Sequence, residues 1–108
     1  MQSTIGVQDL SRHLTEDGKL RVIDIRDGDA YGAGHIPGAL HIPLLRLQYK
    51  PDLVPNDRPV VIYAGSSEED QQSCASAART LEDLNIRAQV LEGGLPAWVA
   101  AGFALEVD

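Results

Sequence analysis

Four short runs of apolar, largely β-branched residues limit the folds that are open to this chain. They occupy residues 20–25, 39–42, 60–63 and 88–91. Continuous apolar runs of this kind are typical of strands that are covered on both faces of a sheet. Between the last two runs, residues 67–84 carry a helical pattern, and such a helix is an ordinary crossover between parallel neighbours. The sequence therefore predicts an α/β fold with helices on the faces of a sheet.

The segments before and between the first three runs are predicted to be two helices and a loop. Residues 7–14 are predicted to be helical because apolar residues recur from Val7 at helical spacing. Residues 30–34 fit a second, short helix. Residues 49–59 contain three prolines, which lack the N–H donor that a strand ladder needs. We therefore expect a loop there.

The last helix has the clearest start and stop signals in the chain. Leu95, Trp98 and Val99 follow a glycine pair at helical spacing. Pro96 falls in the first turn, where its missing N–H costs nothing, and Gly102 marks the end. Large aromatic side chains in amphipathic helices usually face the core. Trp98 is therefore predicted to be a core residue.

Size and charge exclude several classes of protein. The 108 residues, 44% of them apolar, fit a single domain over residues 1–108. No apolar run approaches the roughly 18 residues that a membrane helix needs, and the start lacks the features of a signal peptide. The net charge of −7 argues against nucleic acid or an anionic membrane as a partner. We expect a soluble, cytoplasmic protein.

Cysteine and histidine usage argues against covalent or metal cross-links. The single Cys cannot form an internal disulfide, and the three His are scattered along the chain. No Cys or His cluster has metal-ligand spacing. The sequence therefore predicts no disulfide, no metal and no cofactor.

Three stretches taken together resemble the rhodanese-like family, and the likeness covers essentially the whole chain. They are residues 22–44, the strand at 60–63 with the helix after it, and residues 91–98. The motif positions are Asp24, Arg26, Tyr31, Gly34, His35, Ile36, Pro37, Gly38 and Ala39, then Gly93, Gly94, Ala97 and Trp98. The resemblance implies a mainly parallel sheet of about five strands with helices on both faces, and a site beyond the carboxyl ends of the strands.

Enzymes of this family place a nucleophilic Cys directly after the fourth strand, with an Arg and a Ser further along the loop. A thiolate accepts the sulfane sulfur, backbone N–H groups point at it, and a cation helps to hold the anionic donor. Here Ala64 follows the strand. Counting back from the alanine pair of the helix puts Ser73 at the Arg position and Cys74 at the Ser position. The loop is also longer than the common one, so nucleophile, cation and loop length all depart from the enzyme pattern.

The segment at the family's active-site loop position consists of Ala64, Gly65, Ser66, Ser67 and Glu68. Ser66 and Glu69 are spaced for a capping box at the start of a helix, and so are Ser67 and Asp70. A carboxylate about 5 Å from a bound anion would repel it by about 3 kcal/mol at an effective dielectric constant near 20. A helix N-terminus attracts an anion by only about 0.3–1 kcal/mol. Glu68, Glu69 and Asp70 are the three acidic residues in the first turn of this helix. They either repel anions from the site or simply cap the helix, and both interpretations stay open.

Five further positions are candidates for supporting the pocket. By resemblance, Asp24 and Arg26 lie at the carboxyl end of the second strand, and His35, Gly93 and Gly94 lie near the same edge. The simpler interpretation is structural: Asp24 and Arg26 hold the loops, and His35 donates a hydrogen bond, since buried polar groups need partners with or without catalysis.

Two functions of different classes follow from these residues. The first is a rhodanese-like domain that has lost sulfurtransferase chemistry and serves as a binding or regulatory module, with an unknown protein or small-molecule partner. The second is a sulfurtransferase that uses Cys74 as a displaced persulfide carrier. Cys74 shares a helical stripe with Ala77, Ala78 and Leu81, which should face the sheet. That placement favours a packing role and hence the first function. Phosphatase activity on this fold would need the same missing Cys and Arg.

Overall fold

The computed structural model describes residues 3–16 and 18–107 of the chain. A sheet of five strands runs through it in the order β1-β5-β4-β2-β3, and every neighbouring pair is parallel. The strands are β1 (Thr4–Ile5), β2 (Arg21–Asp24), β3 (Leu40–His41), β4 (Val60–Tyr63) and β5 (Ala88–Leu91). The sheet thus agrees with the mainly parallel sheet of about five strands that the family resemblance implies, and its central strand is β4.

In the described residues, four α-helices connect the strands and a fifth follows β5. They are α1 (Val7–Glu16), α2 (Gly28–Ala33), α3 (Leu44–Tyr49), α4 (Glu68–Glu82) and α5 (Gly94–Ala100), and a short 3-10 turn spans Pro51–Leu53. The crossover from β4 to its parallel neighbour β5 is made by α4, as predicted. None of the helices in the described parts of the chain combines the length and the apolar character that a membrane crossing requires.

Alternation along β4 divides the core into two layers. Val60 and Ile62 pack on the side that carries α3 and α4. Val61 and Tyr63 pack on the opposite side with α1 and α5, where Trp98 is buried. Because a strand places successive side chains on opposite faces, a run that is buried throughout must be covered on both sides. The α/β fold with helices on both faces and the core position of Trp98 are therefore confirmed.

Two elements were not predicted from the sequence. Strand β1 has two residues, too few for any periodic pattern, and it is held by pairing with β5. Helix α3 ends where the predicted loop begins, and only Leu47 of it is fully buried. Both elements depend on tertiary contacts rather than on local pattern, which is why the sequence gives no clear signal for them.

The helix boundaries differ from the predicted ones by a few residues for identifiable reasons. Helix α2 begins at Gly28, earlier than predicted, because Oδ1 of Asp27 accepts a hydrogen bond from the Ala30 N–H at 2.8 Å. Helix α4 ends at Glu82 instead of residue 84, and Asn85 then takes a left-handed φ of 64° that turns the chain towards β5.

Candidate functional site

The turn between β4 and α4, residues 64–67, lies at the carboxyl end of the central strand, where the sequence predicts the site. Ala64 is buried directly after β4. Its carbonyl accepts a hydrogen bond from the Leu95 N–H at 2.9 Å. The Gly65 carbonyl accepts one from Nε2 of Gln71 at 3.1 Å. The turn is therefore fixed by α5 on one side and by α4 on the other.

Of the two possible caps at the start of α4, the structure forms the one at Ser67. Its hydroxyl oxygen accepts a hydrogen bond from the Asp70 N–H at 3.0 Å. Glu68 and Glu69 point into solvent, but the Asp70 carboxylate lies against Gly65. A Cβ atom at position 65 would overlap Oδ2 of Asp70 and sit 3.3 Å from its Cγ. The first helical turn of α4 thus places the Asp70 carboxylate directly against the loop at residues 64–67.

The glycine pair brings the start of α5 against the same turn. Gly93 and Gly94 have φ angles of 75° and 62°, in the left-handed region that favours glycine. A Cβ atom at position 94 would overlap the Gly65 carbonyl oxygen and lie 2.7 Å from that of Ala64. Gly94 therefore allows the backbone of α5 to approach the backbone of the turn, whereas a Cβ atom at position 93 would meet Cβ of Ala97. Support of a pocket by Gly93 and Gly94 stays a prediction.

We expect Gly94→Ala to lower the free energy of unfolding by about 2–4 kcal/mol, because it adds a backbone overlap to the strain of a left-handed φ. Urea denaturation measures the loss. Gly102→Ala is the matched control, since Gly102 has a φ of 87° but no atom within 4 Å of the added Cβ. It should cost only about 1–2 kcal/mol. Equal losses in the two variants would show that the contact with the turn is unimportant.

Asp24 is the centre of a buried hydrogen-bond network at the end of β2. The side chain is fully buried and accepts hydrogen bonds from the Arg26 backbone N–H at 2.8 Å and from Nη2 of Arg26 at 2.7 Å. The Tyr63 hydroxyl donates to Oδ2 of Asp24 at 2.6 Å and accepts from the Ile36 N–H at 3.1 Å. Burial, together with the bond to Asp24, raises the pKa of Tyr63 well above its usual value. The network joins β2, β4 and the loop after α2.

The Arg26 guanidinium is occupied by contacts within the fold. Besides its ion pair with Asp24, Nη2 of Arg26 donates to the Gly34 carbonyl at 2.7 Å, and the group lies 5.6 Å from the centre of the Tyr63 ring. Burial alone would lower the pKa of Arg26, but the hydrogen bonds and charge of Asp24 raise it. These contacts agree with the structural interpretation of the Asp24–Arg26 pair. A role in ligand binding stays a prediction.

His35 belongs to a stack of three aromatic rings that residue spacing does not reveal. Nδ1 of His35 donates to the Tyr31 carbonyl at 2.9 Å, and its ring stacks on that of Tyr31 at 3.8 Å. His41 stacks on the other face of Tyr31 at 4.5 Å and donates from Nε2 to the Arg26 carbonyl at 2.7 Å. Nε2 of His35 lies 3.7 Å from Oε1 of Glu106. His35 therefore makes the structural hydrogen bond that was predicted, within a larger cluster.

Cys74 lies away from the turn, on the side of α4 that faces the sheet. It is fully buried with Ala77, Ala78 and Leu81, so the predicted packing stripe is confirmed. Burial, with smaller contributions from the charges of Asp70 and Asp24, raises the pKa of the thiol to about 12. At neutral pH the side chain is therefore a protonated core residue.

The turn carries few groups suited to covalent chemistry. Ala64 and Gly65 have no nucleophilic side chain, and the Ser67 hydroxyl is used to cap α4. Within the described residues, no group of three or more His, Cys, Asp or Glu is arranged to hold a metal ion. Besides its backbone groups, the turn carries the Ser66 hydroxyl and is followed by the three carboxylates of the first turn of α4.

Comparison with solved structures places this architecture among proteins of known fold. The chain superposes on a rhodanese-related protein from Thermoplasma volcanium with a TM-score of 0.84 and 21% identity, over 98% of this chain and 99% of that one. It also superposes on thiosulfate sulfurtransferase from Pseudomonas aeruginosa with a TM-score of 0.84 and 28% identity. The match covers 99% of this chain but 20% of that enzyme, which is therefore much longer.

Sequence comparison gives the same family. A protein named sulfurtransferase from Allochromatium vinosum is 30% identical over 105 residues, which are 97% of this chain and 95% of the relative. The model of the rhodanese-like domain matches residues 6–101. Together with the five-stranded parallel sheet and the turn after β4, these matches show that the chain belongs to the rhodanese-like domain family.

Proposed function

We propose that this rhodanese-like domain lacks sulfurtransferase activity and acts as a binding or regulatory module. The observation that carries the proposal is Ala64, which stands directly after β4 where the family resemblance expects the nucleophilic Cys. Transfer of a sulfane sulfur requires a thiolate that accepts it as a persulfide. A methyl group at this position cannot form that intermediate.

The electrostatics of the turn support the same proposal. Thiosulfate is a dianion, and a cradle that binds it must present N–H groups and positive charge. Here the first turn of α4 carries Glu68, Glu69 and Asp70, and the Asp70 carboxylate lies against Gly65. The Arg26 guanidinium is already paired with Asp24. An anionic sulfur donor would therefore meet a negative site.

The competing function is sulfur transfer through Cys74, and the sulfurtransferase from Allochromatium vinosum is the relative that favours it. That route would have to bring a donor to a fully buried thiol whose pKa is about 12. Both burial and the low thiolate fraction oppose the attack, since the thiolate is the nucleophile. The competing function is therefore the less favoured of the two.

We expect no transfer of sulfur from thiosulfate to cyanide above a protein-free control. The Pseudomonas aeruginosa thiosulfate sulfurtransferase serves as the positive control. The Ala64→Cys variant should recover little activity, because the acidic turn remains. Steady turnover in the wild type that is lost in Cys74→Ser would overturn the proposal in favour of the persulfide carrier. Rates in Ala64→Cys near those of the control enzyme would show that the acidic turn does not repel the donor.

A further inference from the structure

A stripe of exposed apolar side chains runs along α3 and the turn that follows it. Leu45, Tyr49 and Leu53 recur every fourth residue and are 68%, 81% and 46% exposed. Tyr49 is the most exposed large apolar side chain in the described residues. We call these three residues the Tyr49 stripe. A cluster of this kind marks a contact surface more often than singly scattered apolar residues do.

A groove of about 230 Å³ adjoins the Tyr49 stripe. It is lined by Leu40, His41, Ile42, Arg46 and Leu53. Leu53 belongs to both the stripe and the groove, so the two form one continuous surface. Most of the lining is apolar, and Arg46 is its one charged side chain.

The groove is held in shape by the core beneath it. The Ile42 N–H donates to the Asp24 carbonyl at 3.0 Å, and the Leu44 N–H donates to the Ile25 carbonyl at 3.1 Å. Leu47 anchors α3 in the core. A preformed groove loses less conformational entropy when a ligand binds than a loop that must first become ordered.

Charge at this surface is positive although the chain as a whole carries −7. Neither Arg46 nor Lys50 forms an ion pair with the residues that the structure describes, and Asp52 is the acid closest in sequence. The Tyr49 hydroxyl has no hydrogen-bond partner among the same residues. Tyr and Arg are among the residue types that are enriched at binding hot spots.

The size of the surface argues against a second copy of the chain as its occupant. A stable interface between two proteins buries about 800 Å² on each partner, which three side chains and a small groove do not supply. Two copies would also each bring a charge of −7. A short segment needs less area and can bring the opposite charge.

We propose that the groove and the Tyr49 stripe bind a short segment of a partner protein that combines apolar side chains with at least one acidic residue. The apolar side chains contact Leu53 and Tyr49, and the acid pairs with Arg46. This inference rests on the proposed function in so far as the domain acts by binding.

The test is a selection of phage-displayed random dodecapeptides on the intact chain, followed by fluorescence polarisation of the selected peptides after synthesis and labelling. We expect a consensus of apolar residues with at least one Asp or Glu. Tyr49→Ala and Arg46→Glu should each weaken binding at least about tenfold. Exchanging the peptide's acid for Lys should restore binding to Arg46→Glu. Leu84→Ala and Val99→Ala remove exposed apolar side chains outside the groove and the stripe, and they should leave affinity unchanged.

Several results would overturn the inference. They are the absence of any selected peptide, a consensus without an acid, and undiminished binding to Tyr49→Ala or Arg46→Glu. A dimer in sedimentation velocity that Tyr49→Glu dissociates would identify a second copy as the occupant. The sulfur-transfer assay is independent of these readouts. Lost peptide binding without sulfur transfer contradicts the docking surface alone, whereas sulfur transfer alongside peptide binding contradicts the proposed loss of activity alone.

Discussion

Replacing Asp24 with Ala should lower the free energy of unfolding by about 3–5 kcal/mol, the usual loss when one partner of a buried ion pair is removed. Asp24 is fully buried and accepts hydrogen bonds from Arg26 and from the Tyr63 hydroxyl. Its removal leaves the guanidinium without its counter-charge and the hydroxyl without its acceptor. Urea denaturation followed by circular dichroism gives the difference.

The exposed ion pair between Arg21 and Asp57 provides the matched control for this variant. The Asp57 side chain is 53% exposed and lies 3.2 Å from Nη2 of Arg21. Asp57→Ala should therefore change the free energy of unfolding far less than Asp24→Ala does, because an exposed ion pair contributes little to stability. If Asp24→Ala does not fold, Tyr63→Phe removes the hydroxyl that bonds both Asp24 and the Ile36 N–H, and it should cost about 1–3 kcal/mol. Losses below 1 kcal/mol for both Asp24→Ala and Tyr63→Phe would show that the network does not stabilise the fold.

The central part of the fold could be predicted because its signals are local. The run at Val60–Tyr63 is apolar on both faces, and the helix after it is long enough to show its period. The glycine pair and Trp98 mark α5 in the same way. Strand β1 and helix α3 were not predicted from the sequence. They are stabilised by pairing with β5 and by packing of Leu47, and not by a periodic pattern of their own.

The position of the turn between β4 and α4 could be predicted from the sequence, but its side-chain contacts could not. The position of the turn follows from the end of β4, and a Ser67 cap follows from residue spacing. The approach of Asp70 to Gly65 depends on side-chain direction at the start of α4, which spacing does not specify. The hydrogen bond from Tyr63 to Asp24 joins residues that are 39 positions apart in the sequence. It can be identified only when the order of the strands in the sheet is known. Polar contacts of this kind, between residues far apart in the sequence, were therefore not predicted.

The second large effect concerns Cys74, which we expect to react with iodoacetamide at least about 1,000-fold more slowly in the native protein than in urea at pH 7. In unfolded chain a thiol with a pKa near 8.5 is about 3% thiolate at this pH. Burial raises the pKa of Cys74 to about 12, so the native thiolate fraction is on the order of 10⁻⁵. Native labelling should stay slow as the pH rises through 8.5, where the unfolded thiol becomes reactive.

A Cys74→Ser/Gln72→Cys variant supplies the matched control, because residue 72 lies on the exposed face of the same helix two positions away. Its thiol should be labelled in the native state at nearly the rate seen in urea. Labelling of native wild type within about tenfold of the unfolded rate, with a midpoint below pH 7, would mean that the thiol is accessible and ionised. That result would contradict the buried role of Cys74 and restore the persulfide carrier as the better account of the chain. Slow labelling at Cys74 beside fast labelling at position 72 leaves this chain with no thiol able to take up a sulfur atom.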